Sequence, residues 1–326
     1  MSHLDYINQN YPARKTDAEK QNFRDYVKES LSKKGIVANI ELTKDGKNNN
    51  IVIGDPTSAE VVFTAHYDTP ARSIFPNIMI PKNRVLFYAY QFVPIIFLLV
   101  VSFALAYIVG DVIFNDIRVY ILTFMVVYYG LFFGIMRVFK NMHNYNDNTS
   151  GVATVLSIID ELSMDELNKV AFILFDNEEK GKKGSKAYFK DHTESMKDKF
   201  LVNFDCVGNG DNVIFIAQKE AKDSPKYRLL NESFDQNSNF NLEFLTHKDA
   251  DSNSDHKSFP NGVACVVCKK SKRGILYTPN IHTEMDVVAE NSNIEYLTKN
   301  TCVFVRNIYR NSCIFDKVRQ ILLPNS

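Results

Sequence analysis

Apolar residues recur along this chain in three different rhythms. Near the start, Phe23, Val27 and Leu31 repeat at helical spacing, with Thr16 and Glu19 placed as a capping box and Gly35 as a stop. Two short runs, IVANIEL (36–42) and NIVIGD (50–55), read as strands joined by a polar turn, and EVVFTAHYD (60–68) reads as a buried strand ending in polar residues. From residue 145 on, helix and strand patterns alternate again. A Gly-Val-Ala helix (150–163) precedes the strand NKVAFILFD (168–176), and SKAYFKDH (185–192) precedes DKFLVNFD (198–205). NVIFIAQ (212–218), NLEFLTH (241–247) and GVACVVC (262–268) complete the strands, with helical segments near 224–237 and 292–312. This alternation predicts an α/β protein with helices on both faces of its sheet.

Between these two parts the rhythm disappears. Residues 85–110 and 119–136 contain no charged side chain. As helices they would measure about 39 Å and about 27 Å, against a hydrocarbon core of about 30 Å. The link DVIFNDIR (111–118) is short and polar. The prediction is a transmembrane hairpin over 85–139, with spans at about 85–110 and 119–139; a pair of buried core helices is the alternative. Gly130 and Gly134 form a GxxxG spacing, which would serve either close packing inside the hairpin or a homodimer. Flanking charge sets the expected orientation. Arg72, Lys82 and Arg84 precede the first span and Arg137 and Lys140 close or follow the second, while the link holds only Arg118 beside two aspartates. The positive-inside bias places both polar parts and both termini in the cytoplasm.

Composition changes little in this picture. The 326 residues carry 38 basic and 38 acidic side chains, so no basic excess suggests a nucleic-acid partner. The first fifteen residues have no apolar core, and no signal peptide is expected. Five cysteines (206, 265, 268, 302 and 313) read as free thiols of a reducing compartment. Cys265 and Cys268 form a CxxC, but three positions apart on a strand they face opposite sides and would chelate poorly.

The candidate chemistry sits at strand ends. His66 and Asp68, two apart, share one side of their strand. Asp147 precedes a helix, Glu178 and Glu179 follow VAFILFD, Asp205 ends FLVNFD, and Asp255-His256 and His282 come later. Ligands of open α/β sheets gather beyond the carboxyl ends of the strands. Carboxylates crowded there need positive charge among them, and His with Asp/Glu donors suit zinc pairs about 3.5–4 Å apart. A remaining Glu is then free to move a proton.

His-Tyr-Asp, Asn-Asp-Asn-x-Ser-Gly, Asp-Asn-Glu-Glu-x-Gly, Asn-Phe-Asp, Ser-Asp-His and His-Thr-x-x-Asp stand here in one order. In that order they resemble the co-catalytic di-zinc aminopeptidases, a family that also holds glutamate carboxypeptidases, glutaminyl cyclases and the catalytically silent transferrin receptor. The resemblance runs from about residue 14 to 315, interrupted by the hairpin. It implies a three-layer sandwich with a mixed, mostly parallel sheet, and a single discontinuous domain over 1–84 and 140–326. It implies two zinc ions, or other divalent cations, with His66 and Asp205 holding one, Glu179 and His282 the other, and Asp147 bridging. Glu178 becomes the general base, Asp68 the orienter of His66, and His256 and Asp286 supporting residues. The implied activity is aminopeptidase action on peptides by zinc-activated water. Carboxypeptidase or dipeptidase specificity is a second outcome, with Arg273 as a candidate for a free carboxylate; a glutaminyl cyclase or a silent membrane receptor or scaffold are others. His143 and His247 are expected at the surface. Only seven residues, 140–146, separate the second span from Asp147, at most about 25 Å of chain. The site is therefore expected close to the bilayer, acting on hydrophobic or membrane-associated peptides.

Overall fold

The computed structural model describes residues 1–322 other than 74, 76, 138, 139 and 237, with side chains other than those of 134–137 and 311–322. Its helices are α1 (His3–Asn10), α2 (Asp17–Ser32), α3 (Arg84–Ala106), α4 (Ile117–Arg137), α5 (Gly151–Glu161), α6 (Met164–Leu167), α7 (Lys183–Asp191), α8 (Thr193–Met196), α9 (Pro225–Ser233) and α10 (Asn291–Leu322). Its strands are β1 (Ala38–Leu42), β2 (Asn49–Ile53), β3 (Val61–His66), β4 (Asn77–Met79), β5 (Val170–Phe175), β6 (Phe200–Phe204), β7 (Asn212–Ala217), β8 (Asn241–Thr246), β9 (Gly262–Lys270) and β10 (Leu276–Ile281).

The strands form one sheet in the order β1-β2-β5-β3-β6-β9-β10-β4, with β7 along β9 and β8 outside β7. Its centre, β5-β3-β6-β9, is parallel, while β1, β2 and β10 join antiparallel. Alternation along β3 explains the layers. Val61, Phe63 and Ala65 enter the larger core beneath α1, α2, α5, α9 and α10, whereas Val62 joins Ile173, Phe175 and Leu201 under Tyr188 of α7 and Met196 of α8. The expected three-layer mixed α/β sandwich is therefore present. So is the capping box of α2: Glu19 N–H donates to Thr16 Oγ1 at 3.3 Å, and Thr16 N–H to Glu19 Oε2 at 3.0 Å. Cys265 and Cys268 are both buried in different cores, as opposite-facing strand residues must be. Cys206 and Cys302 are buried free thiols as well; Cys313 lies outside the described side chains.

The inserted hairpin stands apart from all three apolar cores. With a wider helical stretch, Tyr107–Ile113, α3 becomes a 30-residue helix of mean hydropathy 2.8 in its most apolar window, of which 17 % is buried. Core helices are mostly buried, so that alternative fails here. Among the described residues the first helix is long and apolar enough to cross a membrane. In α4, which runs on to Arg137, the apolar stretch with described side chains is Ile117–Phe133. The link is shorter than expected, because α3 runs on through Ile113. The two helices pack through Phe103 and Phe124, whose ring centroids lie 4.6 Å apart. Gly110 permits a close contact between them, since a Cβ there would stand 2.4 Å from Tyr120. A Cβ at Gly130 would meet nothing within 4 Å, so this glycine does not pack the hairpin; Gly134 lies outside the described side chains. At the base, Ala71 and Lys140 pair as an antiparallel bridge, so the insertion leaves and rejoins the sandwich at one place.

Candidate metal centre

The sheet order brings the candidate residues together. Neighbouring parallel strands β5, β3 and β6 end side by side, delivering Glu178 and Glu179, His66 and Asp68, and Asp205 to one edge. His282 arrives differently. Strand β9 runs past the end of β6 to Lys270, and β10 returns from Leu276 opposite it, ending where the parallel strands end. Asp147 comes from the segment before α5, whose first residue Gly151 sits against Phe204 O and the Asn148 amide.

Three groups of donor atoms result, each with its members within 4.8 Å of one another: His66, Asp147 and Asp205; Asp147, Glu179 and His282; and His66, Glu178 and Glu179. Asp147 belongs to the first two, and Glu178 joins only the third. Its Oδ1 lies 3.3 Å from His66 Nε2 and its Oδ2 lies 3.0 Å from His282 Nε2. His66 Nε2 stands 3.7 Å from Asp205 Oδ1, and His282 Nε2 3.4 Å from Glu179 Oε2.

Electrostatics shows what the cluster lacks. Burial pushes Glu179 up to about 8 and Asp255 up to about 7, and raises Glu178 well above the usual carboxylate range. For the two imidazoles burial acts downward, but the carboxylates outweigh it: His282 rises to about 9 and His66 well above its ordinary value. Asp147, despite burial, is held well below the usual range by the two histidines. Glu179 Oε1 is buried with no hydrogen-bond partner. Clustered N/O donors, surplus buried carboxyls and a buried oxygen without a hydrogen-bond partner fit divalent cations, and the donor set suits zinc.

The scaffold around the donors uses two carboxylates in the same manner. Asp68 Oδ1 and Oδ2 accept the Glu178 and Glu179 N–H groups at 2.9 and 3.2 Å. Asp286 Oδ1 and Oδ2 accept the Asn146 and Asp147 N–H groups, both at 3.0 Å. The supporting role expected of Asp286 is therefore a clamp on the Asp147 segment. Asp68 also faces the His66 ring. Its carboxylate lies 3.6 Å from His66 Nδ1, while its own carbonyl oxygen lies nearer, at 3.2 Å. That carbonyl fixes the tautomer that leaves Nε2 facing the cavity.

Other supports were not legible in the sequence. Asn148 Oδ1 accepts the Gly151 and Cys206 N–H groups and its Nδ2 donates to Phe204 O, tying the Asp147 segment to the Asp205 strand end. Arg14, fully buried, donates to Tyr67 O, Tyr11 O and Thr149 Oγ1 behind the site. His256 is buried with neither ring nitrogen bonded, and burial lowers it to about 3, so it is a neutral packing group behind the site. His143 and His247 are half-buried rather than at the surface, each with Nδ1 buried and unbonded. Arg273 is exposed in the turn between β9 and β10 and does not line the cavity. The cations that do are Arg84, at the start of α3, and Lys182. With Phe87 and Tyr88 they make the hairpin's first turns part of the cavity wall, about 260 Å³ in volume.

A sandwich whose strand ends bring together His and carboxylate donor groups that share Asp147 defines a metallohydrolase. The profile of peptidase family M28 matches residues 143–305, half of the chain, and the protein belongs to that family. It is a zinc metallopeptidase. Its fold is similar to that of the LapA aminopeptidase of Legionella pneumophila (15 % identity, 93 % of this chain and 68 % of that one, TM-score 0.55). It is also similar to a Zn-dependent exopeptidase from Parabacteroides distasonis (15 %, 93 % and 96 %, TM-score 0.55). The glutaminyl cyclase of Porphyromonas gingivalis has the same fold (13 %, 94 % and 97 %, TM-score 0.53). No curated protein matches significantly.

Proposed function

We propose that this peptidase is a membrane-anchored aminopeptidase with two metal ions. The observation that carries this is the Asp147 carboxylate, whose two oxygens face His66 on one side and His282 on the other. In this assignment His66 and Asp205 hold one zinc, Glu179 and His282 the other, and Asp147 both. When bound, the pair supplies Lewis acidity to a water and to the scissile carbonyl. Glu178 takes the proton from water and returns it to the leaving amine, so that the C–N bond breaks as the water oxygen joins the acyl carbon. Its burial suits this, because a carboxyl raised well above the usual carboxylate range is a stronger base for the proton of water. Asp68 and Asp286 hold the backbone that carries these groups.

The peptidase domain then comprises 1–84 and 140–326, and the hairpin over 85–139 anchors it in the bilayer. The exposed apolar surface of α3 supports this, and by the positive-inside bias Lys82, Arg84 and Lys140 at the base favour a cytoplasmic catalytic side. The open side of Gly130 leaves it available for a homodimer contact.

Carboxypeptidase action is the second reading, favoured by Arg84 and Lys182 in the cavity wall, where a free carboxylate would need a cation. A cyclase reading leaves His66, buried between two aspartates, without work. Purified protein should cleave peptides with free N-termini and spare N-acetylated ones, with about two zinc per chain, and Glu178→Gln should keep the metal and lose turnover. Cleavage of acetylated peptides would turn the assignment to a carboxypeptidase; full metal without cleavage would remove both.

A further inference from the structure

A second cavity of about 500 Å³ opens beside the metal centre. At one end it is lined by Glu179 and His282, the same side chains that line the first cavity, and by Asn77 of β4. At the other it lies between the helices of the hairpin, against Tyr90, Pro94 and Leu98 of α3 and Phe132 of α4. From Arg84 to Leu98 the helix climbs about 21 Å at 1.5 Å per residue. The cavity thus runs from polar metal donors into the most apolar part of the molecule.

Its walls are fixed rather than incidental. Gln91 Nε2 donates to Asn77 Oδ1 at 3.2 Å, joining α3 to β4. Phe75 packs edge-on against Phe97, with centroids 5.3 Å apart. The Ser73 N–H donates to His282 O at 2.7 Å, so the loop that lines the cavity is tied to a donor of the metal centre. A cavity of this size holds a substantial ligand group, and its gradient from polar to apolar orients that group.

We propose that this cavity holds a long apolar group on the terminal residue of the substrate, with the scissile bond at Glu179 and His282 and the apolar chain between the hairpin helices. Substrates are then peptides whose terminal residue is seated in the bilayer, through either a bulky apolar side chain or an attached lipid chain. This rests on the exopeptidase assignment above.

The test uses full-length protein in lipid nanodiscs. Peptides carry alanine, norleucine, 2-aminooctanoic acid or 2-aminodecanoic acid at the terminal position before a soluble Gly-Lys-Lys tail, with a mirrored series at the C-terminus. In the wild type kcat/KM should rise by up to about fourfold for each added CH2. Partition into the disc alone would also favour longer chains, so the decisive readout is the ratio of longest to shortest substrate in Leu98→Trp and Phe132→Trp. Both should lower that ratio tenfold or more. A flat wild-type series, or an unchanged ratio in both variants, overturns the proposal while leaving the exopeptidase assignment standing. Failure of every peptide, alanine included, overturns both. A rise that stops at norleucine assigns the cavity to side chains; one that continues to the longest chain assigns it to a lipid. A wild-type measurement covers variants that do not fold. A substrate whose chain ends in a diazirine should crosslink to Pro94, Leu98 or Phe132. Crosslinks confined to the outward-facing Val93 and Ile96, which are 50 % and 57 % exposed, overturn the proposal.

Discussion

Asp68→Asn separates two roles that one residue could have. Resemblance casts Asp68 as the orienter of His66, whereas the structure shows its carboxylate gripping the Glu178 and Glu179 N–H groups at 2.9 and 3.2 Å. An asparagine keeps the shape but offers one oxygen, and turns an NH2 toward the other N–H. A charge-assisted bond contributes about 1.5–3 kcal/mol, and a buried N–H left unpaired costs about 1–3 kcal/mol more. Loss of about 3 kcal/mol in holding the Glu178–Glu179 backbone corresponds to a turnover decrease of about a hundredfold. Zinc affinity should fall as well, by about 10- to 100-fold, as for other groups that support ligands. The His66 ring keeps its nearer partner, the Asp68 carbonyl at 3.2 Å, which the substitution does not touch. The kcat defect should therefore persist when zinc is saturating. Steady-state kinetics across a zinc titration, with thermal unfolding to confirm the fold, measures this. If excess zinc restores kcat to within about threefold of wild type, Asp68 acts through the metal and not through Glu178.

Three further outcomes follow from the same geometry. Gly151→Ala would put a Cβ 2.3 Å from Phe204 O and 2.4 Å from Asn148 Oδ1, so it should destabilise the fold by about 1–3 kcal/mol, read from urea unfolding, and loosen zinc with it. In the metal-free protein His282 is raised to about 9 and Glu179 to about 8, so at neutral pH zinc must displace both protons; affinity should climb by more than tenfold per pH unit below about pH 8 and level off above about pH 9, in competition with a chelator. The opposite slope would contradict the site's charge balance. Asn115→Cys in the hairpin link should react with an impermeant maleimide added outside intact cells, measured as the gain over the parent protein, whose Cys206, Cys265, Cys268 and Cys302 are buried. Labelling only after lysis would reverse the orientation or remove the anchor.

Much of the sandwich was legible because period and burial are local properties. The alternation of β3 and the i, i+4 spacing of Phe23, Val27 and Leu31 depend only on backbone geometry and on which face meets a core. The donor residues were legible because each stands at the end of such an element in a recognisable order. Strands β4 and β10 were not. β4 has three residues, and β10 pairs with β9 for only two registered positions before shifting to β4, so neither leaves a long periodic signature.

By itself the sequence determined the class of fold, the donor set and the two uncharged runs, since these follow from residue type and spacing. Only the tertiary structure decided what each supporting group holds. Asp68 lies 110 positions from the N–H of Glu178, and Asp286 139 positions from that of Asp147. Such bonds form or fail over a few tenths of an ångström, set by how strands and loops stack, and no local pattern records them. The same holds for Arg84, Tyr88 and Leu98. In sequence Arg84 only precedes an apolar run to which Tyr88 and Leu98 belong, but the closed base at Ala71 and Lys140 turns that stretch into the wall of the metal cavity and its neighbour.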